Sequence, residues 1–363
     1  MTIIYKNYNI KYFQIVFILF FGLPSCKKEN EKIQNTLKTF TVQIPKNMIW
    51  VESKTFLMGA KPPDQFAMKR EKPAHKVSVD GFYIDATEVT NKQFKAFVKA
   101  TKHITVAERK IDWEDLKKQV PAGTPKPHDS ILQPGSLVFN KNVNAVVNMQ
   151  NYSQWWTWKI GANWKQPYGS GTSIEGKDNF PVVHIALEDA LAYCKWANRR
   201  LPTEAEWESA AQGTYKEAIF TWGDNTKILD ANANTWQGIF PTKNEPRDGF
   251  EFISPVKSYP ANSIGLFDMA GNVWELTSDF FNVNYYQDLD ISKPILNPKG
   301  ANKSYSPSNP YQVEYVIKGG SFLCHESYCS SFRISAKMGV TIDSGSDHMG
   351  FRTVATPEML ASK

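Results

Sequence analysis

Cysteine and histidine are scarce in this chain, four and six among 363 residues. That leaves little material for thiol or soft-metal chemistry, so the position of each cysteine carries weight. No P-loop is present. Gly169-Ser170-Gly171 lacks the third glycine and the strand-helix context of a dinucleotide site. No nicotinamide or flavin fingerprint, internal repeat or coiled-coil heptad is visible. No basic run with interleaved aromatics occurs, which argues against a nucleic-acid partner. The apolar run Ile15-Val16-Phe17-Ile18-Leu19-Phe20-Phe21 is too short to span a bilayer.

What is present points to a large core. Hydrophobic residues make up 42% of the chain and aromatics 13%, with 11 Trp. Glycine and proline number 21 each, which predicts many short elements joined by ordered loops rather than a helical bundle. The net charge of +6 falls by two, to +4, without Lys6 and Lys11, a weak pull on any anionic partner. Those two lysines and the apolar run behind them read as the charged and apolar parts of an export signal over residues 1–25. Leu23-Pro24-Ser25-Cys26 resembles a bacterial lipobox, in which Cys26 is the lipidated residue. Residues 26–44 then read as the anchored cysteine and a flexible tether. The expectation is an exported lipoprotein held on a membrane, at the periplasmic or outer face, by the lipid on Cys26.

The main domain is expected over residues 45–357, with a short tail at 358–363. Met48-Ile49-Trp50-Val51, Thr55-Phe56-Leu57-Met58-Gly59 and Phe82-Tyr83-Ile84-Asp85 read as strands. Thr90-Asn91-Lys92-Gln93 and Thr203-Glu204-Ala205-Glu206 are capping boxes that open helices. Phe94, Phe97 and Val98 form the apolar stripe of the first helix. Trp207, Ala210 and Ala211 continue the second to Gly213. Leu187, Ala190, Leu191 and Cys194 are expected on one helical face, which makes Cys194 a buried apolar thiol. Residues 105–150, with four prolines, read as a long ordered loop. About half of the nearby tryptophans (Trp155, Trp156, Trp158, Trp164) are expected in the core, the rest along a cleft.

The stretch that organises the chain is Gly319-Gly320-Ser321-Phe322-Leu323-Cys324-His325-Glu326-Ser327-Tyr328-Cys329. A separation of five brings two side chains together on neither a straight helix nor a straight strand. For the sulfurs to meet, the chain must bend at His325-Glu326-Ser327. Converging thiols allow three readings: a disulfide, a soft-metal site or a redox pair.

Five further motifs stand in order: Gly161-Ala162-Asn163-Trp164, Arg200-Leu201-Pro202-Thr203-Glu204-Ala205-Glu206-Trp207-Glu208, Ala233-Asn234-Thr235-Trp236-Gln237-Gly238, Gly271-Asn272-Val273-Trp274-Glu275 and Gly350-Phe351-Arg352. Together with the cysteine stretch they resemble the formylglycine-generating enzymes, or sulfatase-modifying factors, over about residues 45–356. The resemblance implies an α+β fold with little regular secondary structure, related to C-type lectin-like domains. It implies oxidation of a sulfatase cysteine to Cα-formylglycine with molecular oxygen and copper(I) held by Cys324 and Cys329. Thiolates are soft ligands that select copper(I). The resemblance places Ser321 among the catalytic residues. It places Tyr328, Trp274, His348, Lys337, Trp155 and Trp156 beside a peptide with a proline two residues after its cysteine and an arginine four after. It also implies structural calcium at two sites. One uses Asp268, Gly271, Val273 and Glu275, the other Asn234, Thr235, Asp248 and Phe250. Both donor sets are oxygens, as a hard cation requires. Monomer is the expected state.

The chain departs from the family pattern in places. Ile334 and Thr353 stand where partner cysteines are expected, so Cys194 has no disulfide. Lys337 stands for a familiar Arg, and His348 for a familiar Asn. Two other readings of the domain exist. A non-catalytic lipoprotein scaffold or binding protein is expected to lack the cysteine pair. An iron-dependent sulfoxide synthase needs a histidine cluster that His75, His103, His128, His184, His325 and His348 do not form in the sequence.

Overall fold

A computed structural model of the chain describes residues 44–62 and 64–361. The export signal, Cys26 and most of the tether lie outside the described residues. No helix among the described residues is long and apolar enough to cross a membrane.

The strands are short. They are β1 (Met48–Val51), β2 (Lys54–Met58), β3 (His75–Val79), β4 (Phe82–Asp85), β5 (Gly135–Phe139), β6 (Trp156–Ile160) and β7 (Gly238–Ile239), then β8 (Lys243–Asn244), β9 (Trp274–Phe280), β10 (Ile295–Leu296), β11 (Glu314–Lys318), β12 (Met338–Thr341), β13 (Met349–Gly350) and β14 (Val354–Ala355). The helices are α1 (Asn91–Thr101), α2 (Trp113–Leu116), α3 (Leu187–Ala197), α4 (Glu204–Gln212) and α5 (Pro357–Leu360). The largest sheet has the order β12-β11-β9-β13. Within it β11 runs antiparallel to β9, while β13 pairs with β9 in parallel. Two three-stranded sheets, β1-β4-β14 and β10-β3-β2, and the hairpins β5-β6 and β7-β8 complete the architecture.

Local chemistry explains the two principal helix starts. The Gln93 amide donates to Thr90 Oγ1 and the Thr90 amide to Gln93 Oε1, which satisfies two otherwise orphaned donors of α1. Thr203 and Glu206 exchange the same pair of bonds in α4, and Glu206 also takes the Arg200 guanidinium in a two-pronged ion pair. Phe94 and Phe97 of α1 pack on Tyr193 of α3, at 6.1 and 5.5 Å between ring centres. That contact corrects the expected face of α3. Leu191 is exposed, and Leu187, Ala190, Tyr193 and Cys194 are the buried apolar residues. The large Tyr193 ring takes the space between the helices, which turns Leu191 outward.

Two other expectations change. Residues 105–150 contain a real strand, β5, and the short helix α2. The expected tail begins inside α5, which Thr356 caps. Of the four tryptophans, Trp155 and Trp164 are buried, while Trp156 and Trp158 on β6 are half-buried.

Candidate active site

The cysteine segment leaves β11 through Gly319 and Gly320, both at positive φ, +87° and +73°. Gly320 has a second reason to be glycine. A Cβ there would stand 2.8 Å from the Ser331 carbonyl carbon and 2.9 Å from the Phe332 nitrogen. The segment then rests on the turn before β9. The Gly271 amide donates to the Gly319 carbonyl at 2.8 Å and the Phe322 amide to the Asn272 carbonyl at 2.9 Å. A third segment completes the stack. The Asn272 amide donates to the Asn234 carbonyl, and the Trp236 amide to the Cys324 carbonyl. Thus Asn234–Trp236, Gly271–Trp274 and Gly319–Cys324, three of the sequence motifs, are bonded side by side.

Beyond Cys324 the chain bends. The amides of Tyr328 and Cys329 both donate to the His325 carbonyl, at 3.0 and 2.7 Å. His325 Nδ1 also meets the Ser327 hydroxyl at 2.8 Å, so this histidine shapes the turn. The bend brings the sulfurs of Cys324 and Cys329 to 2.9 Å, as free thiols. Cys324 is buried and Cys329 is partly exposed. Their acidities diverge. Burial pushes the Cys324 thiol well above its usual range, and its bond to Cys329 adds to this. Cys329 is lowered, first by the hydrogen bond from Cys324, then by Ser331 and by the Arg70 guanidinium, against the effect of burial. Cys329 is therefore the more acidic thiol of the pair.

The walls are aromatic. Tyr328 stacks on Phe240 at 4.6 Å and meets the edge of Trp155 at 5.8 Å. Ser321 lies in the floor. Its amide approaches Cys324 Sγ at 3.4 Å and its hydroxyl stands 3.0 Å from His348 Nδ1. His348 packs on Trp156 at 4.8 Å and is held neutral, its pKa pushed down to about 3 by burial. The His348 carbonyl accepts from the Trp274 amide, which ties this loop to β9.

Several expected substrate contacts do not stand at the surface. Lys337 is 1% exposed. Its amine pairs with Glu204 at 3.1 Å and lies 3.5 Å from the Tyr286 ring centre, so it points into the core and not toward a peptide. Trp155 and Trp274 are also fully buried, and support the walls from behind. Tyr328, Trp156 and His348 keep partial exposure.

The oxygen-rich turns give a mixed answer. Glu275 is not free to bind a cation, because Arg352 takes both its oxygens, at 2.6 and 2.7 Å, and Trp207 donates to one of them. Asp248 is also satisfied, by the amides of Thr235 and Phe250 and the Gln237 side chain. The Thr235 carbonyl already accepts from Gln237. Asp268 differs. Its Oδ1 and Glu88 Oε2 are buried without a donor, as is Asn234 Oδ1. Burial raises Asp268 to about 6 and Glu88 well above its usual range, each helped by repulsion from neighbouring carboxylates. Two buried carboxylates with undonated oxygens fit a hard cation. Glu88 has no local motif to mark it and reaches this site across 180 residues of chain; the Asn272 side chain donates to its other oxygen. Among the described residues no three His, Cys, Asp or Glu side chains converge as a metal cluster.

Residues 33–357 match the sulfatase-modifying factor enzyme 1-like domain. The chain belongs to that family. It is 39% identical over 316 residues to the formylglycine-generating enzyme of Thermomonospora curvata, covering 87% of this chain and 95% of that protein. It is 35% identical over 309 residues to the inactive C-alpha-formylglycine-generating enzyme 2 of Bos taurus, covering 84% of this chain and 87% of that one. The solved structure of PvdO from Pseudomonas aeruginosa shares the fold, with a TM-score of 0.54 and 21% identity over 86% of this chain and 97% of its own.

Proposed function

We propose that this chain oxidises a cysteine of a sulfatase polypeptide to Cα-formylglycine, using molecular oxygen and copper(I). The observation that carries this reading is the meeting of Cys324 and Cys329 at 2.9 Å in a family with formylglycine-generating members. It also favours the enzyme over a non-catalytic scaffold or binding protein, which is expected to lack the pair.

The two thiols would hold copper(I), a soft ion suited to sulfur ligands, and leave room for a third thiol from the substrate. Copper(I), when bound, supplies the one-electron chemistry that lets oxygen react with a closed-shell thiol. The electron count is complete with a thiol reductant. Turning the substrate CH₂SH into CHO releases two electrons, reduction of oxygen to water takes four, and the reductant gives the other two. The substrate sulfur leaves as sulfide. Cys329, the more acidic of the two, and Cys324 would both bind the ion as thiolates, releasing their protons on binding. The Ser321 amide orients Cys324, and its hydroxyl, backed by neutral His348, faces the reacting centre. Tyr328 and Trp156 form the walls that receive the substrate segment, a Cys-x-Pro-x-Arg sequence. Incubation of such a peptide with the protein should generate an aldehyde, detected with a carbonyl-reactive probe, only when copper(I), oxygen and a thiol are all present. Aldehyde formation without oxygen or without copper would reject this chemistry.

Calcium at Asp268 and Glu88, with the carbonyls of Gly271 and Val273, would fasten the turn on which the cysteine segment rests. A chelator should lower the melting temperature and added calcium restore it; no shift, with no calcium found by elemental analysis, would remove the ion from the account. The Asn234, Thr235, Asp248 and Phe250 set is a weaker candidate because its carboxylate is satisfied. The protein is further proposed to be an exported monomer anchored through a lipid on Cys26.

A further inference from the structure

A second site lies on the far side of the β5-β6 hairpin. In that ribbon Phe139 pairs with Trp156 and Val138 with Thr157. Trp156 packs toward His348. Side chains alternate along a strand, so Thr157 and Lys159 face the other way. There they line a cleft of about 730 Å³, closed by the Pro167–Pro181 loop and by Phe250–Ile253. Its volume is that of a pocket for a multi-ring small molecule, larger than an inorganic anion needs. The cysteines are not among its lining residues.

Three features define what the cleft would take. Its body is apolar and partly aromatic, with Phe180 and Phe252 among its lining residues. Its rim carries Lys141, Lys159 and Lys177, none of which has an ion-pair partner among the described residues. Glu251 is the one acid beside them at the exposed mouth. Its deep wall holds two buried acceptors without donors, Asp347 Oδ1 and Asn91 Oδ1, on residues 2% and 4% exposed. A fatty acid would satisfy the lysines and the apolar body but leave both acceptors as unpaired as they are in the free protein. A ligand with several hydroxyl donors satisfies them. Asn140, Asn142 and Thr157 add short groups that donate and accept in either sense, as hydroxyls do.

We propose that this cleft binds a short acidic oligosaccharide, with ring faces on the phenylalanines, hydroxyls on Asp347 and Asn91, and carboxylate or sulfate groups on the lysines. The site is separate from the thiol pair and does not depend on the chemistry assigned there.

Isothermal titration calorimetry tests it with four probes: a chondroitin sulfate tetrasaccharide, a hyaluronan tetrasaccharide, neutral cellotetraose and inorganic sulfate. The proposal expects binding of at least one acidic tetrasaccharide, weakened about tenfold in the Lys159→Gln/Lys177→Gln double variant and weakened by salt. The chondroitin and hyaluronan arms tell sulfate recognition from carboxylate recognition. Because neither lysine has an ion-pair partner and Lys177 loses only its contact over the Phe180 ring at 5.9 Å, the double variant should melt close to the wild type and convert a cysteine peptide at the same rate. Absence of binding by both acidic sugars, binding unchanged in the double variant, or cellotetraose or sulfate ion binding as tightly as the acidic sugars would each overturn it.

Discussion

Cys324 and Cys329 sit 2.9 Å apart but in different surroundings. Burial and the partner sulfur push the buried one up; the bond between them lowers the partly exposed one, with Ser331 and the Arg70 charge beside it. The asymmetry rests on the bend at His325 and on the entry through Gly320. Gly320→Ala puts a methyl against the Ser331–Phe332 backbone at a φ that non-glycine residues rarely adopt. The expected loss is about 1–3 kcal/mol in stability, read by denaturant unfolding, together with weaker copper(I) binding. An unchanged midpoint and unchanged copper affinity would show that this backbone approach is not needed. The bend itself was legible in the sequence, because an odd separation of five leaves two thiols no straight path to each other. The inward turn of Lys337 was not. Nothing near position 337 announces Glu204, 133 residues away, as the partner of its amine.

At the scale of elements, the capping boxes at Thr90 and Thr203 and the strands at Met48 and Phe82 follow from local signals, since a cap or an alternating strand is decided within a few residues. Strand β5 escaped because Pro134 and the short Ser136-Leu137-Val138-Phe139 run resemble loop, and its pairing with β6 is a long-range matter. The same holds for β9. Glu275 in the motif Gly271-Asn272-Val273-Trp274-Glu275 is expected as a cation ligand. In the fold it is the buried partner of Arg352 in β9's contact with the chain leading into β14. Arg352→Met would leave that carboxylate buried without its cation. A loss of about 3–5 kcal/mol is expected, measured by chemical denaturation. The double change Arg352→Met/Glu275→Leu should recover much of it; a single variant as stable as the wild type would show that the pair carries no such weight.

Over the whole molecule, charge is buried to an unusual depth. Lys318, Lys337, Glu204 and Glu208 share one interior network, and Asp279 stands beside it. Burial, then repulsion from Glu204, raises Asp279 from 3.8 to about 7. The unfolded chain releases this proton near pH 4 whereas the fold retains it to about pH 7, so this group's contribution to stability falls as pH rises through that window. Asp279→Asn should therefore flatten the decline of melting temperature between about pH 4 and 7. It should not abolish the decline, because Asp347, also raised to about 7 by burial, adds a slope of the same sign. An identical pH profile in the variant would contradict the assignment. Composition announced the abundance of short elements, but this interior charge was invisible there, since each pair joins residues scores of positions apart. The central claim remains that Cys324 and Cys329 together carry out oxidation of a substrate cysteine. Its most direct test is mass spectrometry of a Cys-x-Pro-x-Arg peptide incubated with copper-loaded protein, oxygen and a thiol reductant, for the wild type, Cys324→Ser and Cys329→Ser. The account predicts conversion of cysteine to formylglycine by the wild type and none by either folded variant. Full conversion by either variant, or none by a copper-loaded wild type, would contradict it.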